Sequence, residues 1–252
     1  MSSRRRLDAE LVRRGLAASR GEATQLIDDR RVLVNGAIAD KPARQVASGD
    51  QLLIAGPPAR FVGRGAHKLD HALDVFEIDV TGLRALDAGA STGGFTDCLL
   101  QRGAARVVAV DVGHGQLHER LRDDPRVVNV ERTNIRDINP AMLGGPVDIA
   151  VGDLSFISLR LVIPSLVSVC QPGAPMVLLV KPQFEAGRVE VSRGRGVISD
   201  PAIWERVRGE INQALIDAGC DVVAWTDSPI TGADGNREFL VHAITPAEGC
   251  TS

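Results

Sequence analysis

Apolar positions in the first sixty residues change period. From Leu7 to Ile27 they recur at Leu7, Leu11, Leu16, Ala23, Leu26 and Ile27, the spacing of a helix face, and Ser19-Arg20-Gly21-Glu22 divides the stretch into two short helices. Ser19-x-x-Glu22 fits a capping box, so the second helix is expected to start at Ser19, with Arg20 projecting outward. The pattern then alternates through Arg31-Val32-Leu33-Val34 and closes on Asn35-Gly36, a pair that tolerates positive φ and predicts a tight hairpin with the chain returning from Ile38. Lys41-Pro42, Val46 and Gly49-Asp50-Gln51-Leu52-Leu53-Ile54 supply a turn and a final short strand. Ala55-Gly56-Pro57-Pro58-Ala59 has no periodicity. A first domain over 1–59, a linker at 60–63 and a second domain over 64–252 are therefore expected.

In the second domain short apolar runs alternate with helical stretches, at 85–86, 107–110, 127–130, 147–151, 176–180, 221–225 and 239–244. That rhythm predicts an α/β sandwich around a mostly parallel sheet. The longest apolar runs, 146–151 and 175–180, fall well short of the roughly 18 residues that cross a bilayer. The opening MSSRRRLDAELVRRG lacks the apolar stretch of a secretory signal, so a cytoplasmic protein is expected. At 44% hydrophobic and 24% charged the chain can bury a real core, which argues against disorder over most of its length. Cys98, Cys170, Cys220 and Cys250 are scattered without a C-x-x-C pair, and neither a metal site nor a disulfide framework is expected. Charge is uneven: residues 1–66 hold 12 Lys/Arg against 7 Asp/Glu, a net +5, whereas the remainder is −8. A basic segment on an acidic body suits phosphate binding, although a solvated helix face would look the same.

The sharpest chemical signal is Leu86-Asp87-Ala88-Gly89-Ala90-Ser91-Thr92-Gly93-Gly94-Phe95-Thr96, a strand running through glycines into a helix, where backbone passes close to a ligand. No Gly-Lys-Ser/Thr follows, which excludes a P-loop, and Gly89, Gly93 and Gly94 do not match G-x-G-x-x-G. Asp87, read as lying inside the turn, suits a cationic ligand better than a pyrophosphate. Asp111, followed by Val112, ends the next strand where such acids hydrogen-bond a ribose diol. Either acid alone reads equally well as a cap or strand-end residue. Together they give Asp87, Gly89, Ala90, Ser91, Thr92, Gly93, Gly94, Phe95, Asp111 and Val112 as cofactor candidates, with Asn134 against an adenine. Asp137 and Asp148 are read as cap or surface residues.

These motifs carry a family resemblance. LDAELVRRGLAASRGEATQLIDDRRVLVNG, KP and GDQLLI resemble the RNA-binding domain named after small-subunit ribosomal protein S-four. That implies that Arg4, Arg6, Arg20, Arg31 and Lys41 face RNA phosphates, a positioning role. RGAHKL at 64–69, LDAGASTGGFTD at 86–97, DVGHGQL at 111–117, DLSFISL at 153–159, LVKPQFE at 179–185 and GNREFL at 235–240 resemble the FtsJ-like 2′-O-ribose methyltransferases. The full chain resembles the TlyA (hemolysin A) family, which joins the two domains. The resemblance implies a Rossmann-like methyltransferase sandwich with a mostly parallel seven-stranded sheet, behind a small α+β RNA-binding domain. It implies S-adenosyl-L-methionine as cofactor and ribosomal RNA within ribosomal subunits as partner, with no metal and no membrane. The acceptor it implies is a cytidine 2′-hydroxyl in the small-subunit RNA, or also in the large, whose modification influences sensitivity to capreomycin-type antibiotics.

The family's catalytic tetrad carries over to Lys68, Asp153, Lys181 and Glu238, with Asp153 also near the cofactor's sulfonium. Methyl transfer needs the hydroxyl in line with the methyl–sulfonium bond, and such positioning can supply roughly 7 to 11 kcal/mol of barrier. A free lysine titrates near about 10.4, so Lys181 either loses its proton to act as base or, as a cation, stabilises the developing alkoxide; the sequence leaves both open. The linker departs from the pattern, with Ala59-Arg60-Phe61-Val62 where some members have Arg-Ala-Trp-Val, and Gly63 where Ser is frequent. Two other classes compete. A membrane-lytic protein, suggested by the hemolysin name, needs a membrane span or a lipid-facing amphipathic helix, and neither is visible. A non-catalytic RNA-binding module would have lost the tetrad, which is intact.

Overall fold

The structure is a computed structural model that describes residues 4–17, 20–56, 60–232 and 234–247. The expected Ser19 cap, Pro57-Pro58-Ala59 at the end of the expected first domain, and Cys250 lie outside the described residues. The chain separates into two compact units, 1–64 and 65–252.

The first unit runs β1 (Arg5–Arg6), α1 (Leu7–Arg13), α2 (Arg20–Asp28), β2 (Val32–Val34), β3 (Ala37–Ile38), β4 (Gln45–Val46) and β5 (Leu52–Ile54). The helix-face residues Leu7, Leu11, Ala23 and Ile27 pack with Val32, Val34, Val46 and Leu52 into one core. Asn35 and Gly36 take φ of 52° and 82°, and Val34 pairs with Ala37, so the Asn-Gly hairpin forms where its backbone tolerance places it. β5 completes a sheet of order β3-β2-β5, while β1 pairs with β4 in a separate ribbon. That ribbon has two residues per strand, too few for alternation to show in the sequence.

Two acids of α1, Asp8 and Glu10, are buried. Glu10 accepts hydrogen bonds from Arg13 (2.6 and 2.8 Å) and Arg14 (2.8 Å), and Arg14 continues to the carbonyls of Ala47, Ser48 and Asp50. α1 is thereby fastened to the turn between β4 and β5. The Arg13 hydrogen bond, then that of Arg14, holds the Glu10 carboxyl at about 2 against the opposing effect of burial. Its folded value lies below the ordinary 4.5, so its stabilisation is fully present above pH 4.5 and lost as pH falls toward 2. Protection of the α1 and α2 amides against hydrogen exchange, relative to the unfolded chain at the same pH, is expected to fall across that window, and Glu10→Gln to lessen this pH dependence while lowering protection at neutral pH.

The second unit runs α3 (Ala66–Val75), β6 (Arg84–Ala88), α4 (Gly94–Gln101), β7 (Arg106–Val110), α5 (Glu119–Arg122), β8 (Val127–Val130), α6 (Pro140–Leu143), β9 (Ile149–Gly152), α7 (Ile163–Val169), β10 (Pro175–Val180), α8 (Pro182–Glu185), α9 (Arg188–Arg193), α10 (Pro201–Asp217), β11 (Asp221–Asp227) and β12 (Phe239–Ile244). Its sheet has seven strands in the order β11-β12-β10-β9-β6-β7-β8. Only β12 runs against the others, so the mostly parallel α/β sandwich is as expected. The β9 and β10 runs are apolar throughout because helices cover both faces of the sheet. One face packs Leu86, Val108, Leu178 and Val241 against Ile163, Leu166, Ile211 and Leu215 of α7 and α10. The expected strand at 147–151 starts later: Val147 forms only an isolated bridge to Cys170. Asp148, read as a cap or surface acid, accepts from the Arg84 amide and brackets the starts of β6 and β9.

From β6 the strand order proceeds to β7 and β8 on one side and to β9 and β10 on the other. The crevice at such a reversal, beyond the carboxyl ends of the strands, is where open α/β sheets bind ligands. Among the described residues no helix is long and apolar enough to cross a membrane.

Candidate active site

Gly89 follows β6 and Asp153 follows β9, on either side of that reversal. The Asp153 amide donates to the Ala88 carbonyl (3.0 Å), drawing the two strand ends together. At φ +83° Gly89 has no room for a side chain: a Cβ there would lie 2.8 Å from the Asp153 carbonyl oxygen and 3.0 Å from the Leu154 side chain. The approach opens a cavity of about 820 Å³ beyond the strand ends. Gly89 and Ser91 line it from the first loop, Asp111, Val112 and Gln116 from the second, Asn134 and Ile135 from the third, and Asp153 through Ser158 from the fourth. Asp111 accepts from the Ser91 amide (2.8 Å) and the Gly113 amide (2.6 Å), so it shapes both loops while each carboxylate oxygen keeps acceptor capacity.

The other glycine-turn candidates do not line the cavity. Ala90 donates its amide to the Val110 carbonyl, Thr92 accepts at its carbonyl from His118, and Gly94 and Phe95 open α4 in the core. The absent side chain of Gly93 makes room for Leu117 and Leu121. Asp87 stands on β6, not inside the turn, and is fully buried. Its Oδ2 accepts from the Thr96 hydroxyl (2.6 Å), and Oδ1 has no hydrogen-bond partner. Burial pushes the Asp87 carboxyl up to about 7 against that hydrogen bond. Asn134 lines the cavity and caps a short 3₁₀ turn through the Arg136 amide, while Asp137 is a surface residue.

Lys68, Asp153, Lys181 and Glu238 come together. Lys68 lies in the first turn of α3, Lys181 ends β10 ahead of Pro182, and Glu238 precedes β12, whose Phe239 pairs with Val180. Lys181 Nζ lies 2.5 Å from Asp153 Oδ1, and Lys68 Nζ lies 3.8 Å from Asp153 Oδ2 and 2.6 Å from Glu238 Oε2. The row reads Lys181, Asp153, Lys68, Glu238, with charges alternating and summing to zero. Lys68, Lys181 and Glu238 are buried, and only Asp153 reaches the cavity. Burying charges is tolerable only when they are paired in this way.

Sequence reasoning missed three side chains here. Ser155 Oγ accepts from Lys181 Nζ (2.8 Å) while lining the cavity, and its place inside the 153–159 motif was its only signal. Phe156 is 91% exposed at φ +63°, with its ring 5.1 Å from that of Phe184. Asn236, fully buried in the 235–240 motif, bonds the Gly196 carbonyl and the Ile198 amide.

In the first unit, Arg6 (2.9 Å) and Arg20 (2.8 Å) are both tied to buried Asp8, and half-buried Arg31 donates to the Ala55 carbonyl (3.0 Å). Arg4 and Lys41 are exposed. Among the described residues no His, Cys, Asp and Glu cluster could hold a metal ion.

Two family models match the chain: FtsJ-like methyltransferase over residues 61–244 and S4 domain over residues 5–52. The 16S/23S rRNA (cytidine-2′-O)-methyltransferase TlyA of Mycobacterium tuberculosis is 49% identical over 253 residues, covering 100% of this chain and 94% of that one. The chain belongs to the TlyA family of FtsJ-like methyltransferases. Hemolysin A of Brachyspira hyodysenteriae is 40% identical over 240 residues, 95% of this TlyA-family chain and 99% of its own length. A solved structure from Streptococcus thermophilus named as a hemolysin matches with a TM-score of 0.77 at 39% identity, covering 98% of this chain and 90% of that one.

The ion row makes a stability prediction. Lys68→Ala leaves Glu238 buried without its cation and is expected to cost about 3–5 kcal/mol in urea denaturation, the range for breaking a buried pair. Lys68→Ala combined with Glu238→Ala is expected to cost less than the sum of the two single changes.

Proposed function

We propose that this methyltransferase uses S-adenosyl-L-methionine to methylate a ribose 2′-hydroxyl in ribosomal RNA, at a cytidine of the small-subunit RNA or also of the large. The observation that carries this reading is the buried ion row meeting the glycine-walled cavity at Asp153. The name of the Mycobacterium tuberculosis relative supports the RNA and the atom. The cytoplasm, where ribosomal subunits work, is the compartment this reading requires, and the mark is expected to influence sensitivity to capreomycin-type antibiotics.

The residues present fit the cofactor. The close Gly89–Asp153 approach forms a cradle that any Cβ would fill, and Asp87 Oδ1 is a buried acceptor without a partner, suited to a cationic group nearby. Asp111 has acceptor capacity for a ribose diol, and exposed Val112 with Asn134 offers an apolar and a polar contact to an adenine. When bound, the cofactor supplies an electrophilic methyl group on a sulfonium. Asp153, which lines the cavity and pairs with Lys181, would offer its carboxylate to that cationic group. Lys181 is ion-paired with Asp153 and donates to Ser155, and its ammonium keeps further donor capacity to orient the attacking hydroxyl oxygen and stabilise its developing charge. Lys68 and Glu238 fix Asp153 from behind. Exposed Phe156 offers a ring face on which a splayed nucleobase can stack. Arg4, Arg6, Arg20, Arg31 and Lys41 of the first unit supply positive charge for RNA phosphates, Arg6 and Arg20 sharing theirs with Asp8.

Incubation with methyl-labelled S-adenosylmethionine and unmethylated ribosomal subunits, mapped by primer extension, is expected to place label on a single ribose of each accepted subunit. Lys181→Ala is expected to lower the rate about 10²–10⁴-fold while still binding cofactor. No label on either subunit despite cofactor binding would overturn the assignment. Gly89→Ala is expected to weaken cofactor binding at least tenfold by calorimetry. Gly115→Ala, also at positive φ but with open space around its Cβ, provides the control for backbone strain alone.

A further inference from the structure

α8 is a four-residue helix with Lys181 as its N-cap and Glu185 as its last residue. Both ends reach the same loop. At the front, Lys181 pairs with Asp153 and donates to Ser155; at the back, Glu185 Oε2 accepts from the Ser158 hydroxyl (2.5 Å) and Oε1 from the Leu159 amide (2.8 Å). Between these anchors the loop forms one wall of the cavity. So short a helix has little stability of its own, and its placement depends on such tertiary contacts.

Glu185 is only 5% exposed and does not line the cavity. Burial pushes its carboxyl above the ordinary range, against the hydrogen bonds from Ser158 and Leu159 and the nearby Arg160. An apolar side chain of similar size would fill the space without burying a charge. Arg160 ties the back anchor to the body of the unit: its guanidinium lies 3.7 Å from Glu185 Oε2, donates to the Glu185 carbonyl (3.2 Å) and pairs with Glu210 of α10 (3.0 Å).

We propose that Glu185 is a positioning residue that clamps the end of the cavity-wall loop, at Ser158 and the adjoining Leu159, to the helix carrying Lys181, setting the methyl donor and the lysine in one register. This rests on the donor reading above. Without the clamp the front anchor remains, but the far half of the wall is released, so donor binding suffers ahead of RNA binding.

The test compares Glu185→Ala, Glu185→Leu and Glu185→Gln in the full chain. Calorimetry reads S-adenosylmethionine and S-adenosylhomocysteine binding, and steady-state assays on ribosomal subunits read the two KM values separately. Glu185→Ala and Glu185→Leu are expected to raise the donor Kd and KM about tenfold, with a smaller rise in the subunit KM because Phe156 lies on the same loop. Glu185→Gln is expected to restore most of the affinity, because its amide oxygen accepts from Leu159 and its amino group donates to Ser158. Should the alanine and leucine variants not fold, Ser158→Ala removes one of the two anchors and is expected to raise donor Kd by a smaller factor. A wild-type donor Kd in folded Glu185→Ala or Glu185→Leu, or in the Ser158→Ala fallback, overturns the proposal, as does a Glu185→Gln variant no better than alanine. If wild type labels RNA and binds donor, such a result removes the clamp alone; if wild type binds no donor, the donor reading falls with it.

Discussion

Four alternating charges in one row, three of them buried, hold the second unit together at one end of its sheet. Two of them, Lys68 and Glu238, are almost without solvent and sit 2.6 Å apart, although 170 residues separate them in the chain. Each charge needs its neighbour, because removing one leaves a desolvated ion beside it. α3, the end of β9, the end of β10 and the start of β12 are therefore held at one point. The reversed direction of β12 brings Glu238 to the end of the sheet where β10 delivers Lys181.

The second constraint is steric. The reversal of strand order between β6 and β9 opens the crevice, and Gly89 lets the two strand ends approach within contact distance. Asp153 belongs to both features: its backbone closes the cradle against Gly89, and its carboxylate begins the ion row. The cavity and the lysine pair are thus joined through one residue. α8 adds the remaining ties, from Lys181 and Glu185 to the two ends of the loop 153–159.

Much of this was legible where a local rule decides. Asn35-Gly36 fixes a hairpin through backbone conformation alone, and apolar runs at 107–110 and 176–180 mark strands buried on both faces. The tetrad was legible only through family resemblance, since no local period links residues drawn from distant parts of the chain. Asp87 was misplaced because β6 runs two residues further than its apolar run at 85–86, carrying the acid into the sheet. Ala90, Thr92, Gly93, Gly94 and Phe95 stand outside the cavity lining, and close backbone approach and helix packing both select small residues, so the sequence pattern does not separate the two. Arg20, Ser155 and Glu185 have roles set by partners distant in the chain, which composition and spacing do not encode.

Single-turnover methyl transfer on ribosomal subunits at saturating donor asks whether the ion row acts as one unit to present Lys181. If the row is one unit, the rate loss in the Lys68→Ala, Lys181→Ala double variant will match that of Lys181→Ala alone. Losses that multiply, with each lysine contributing independently, would contradict the account.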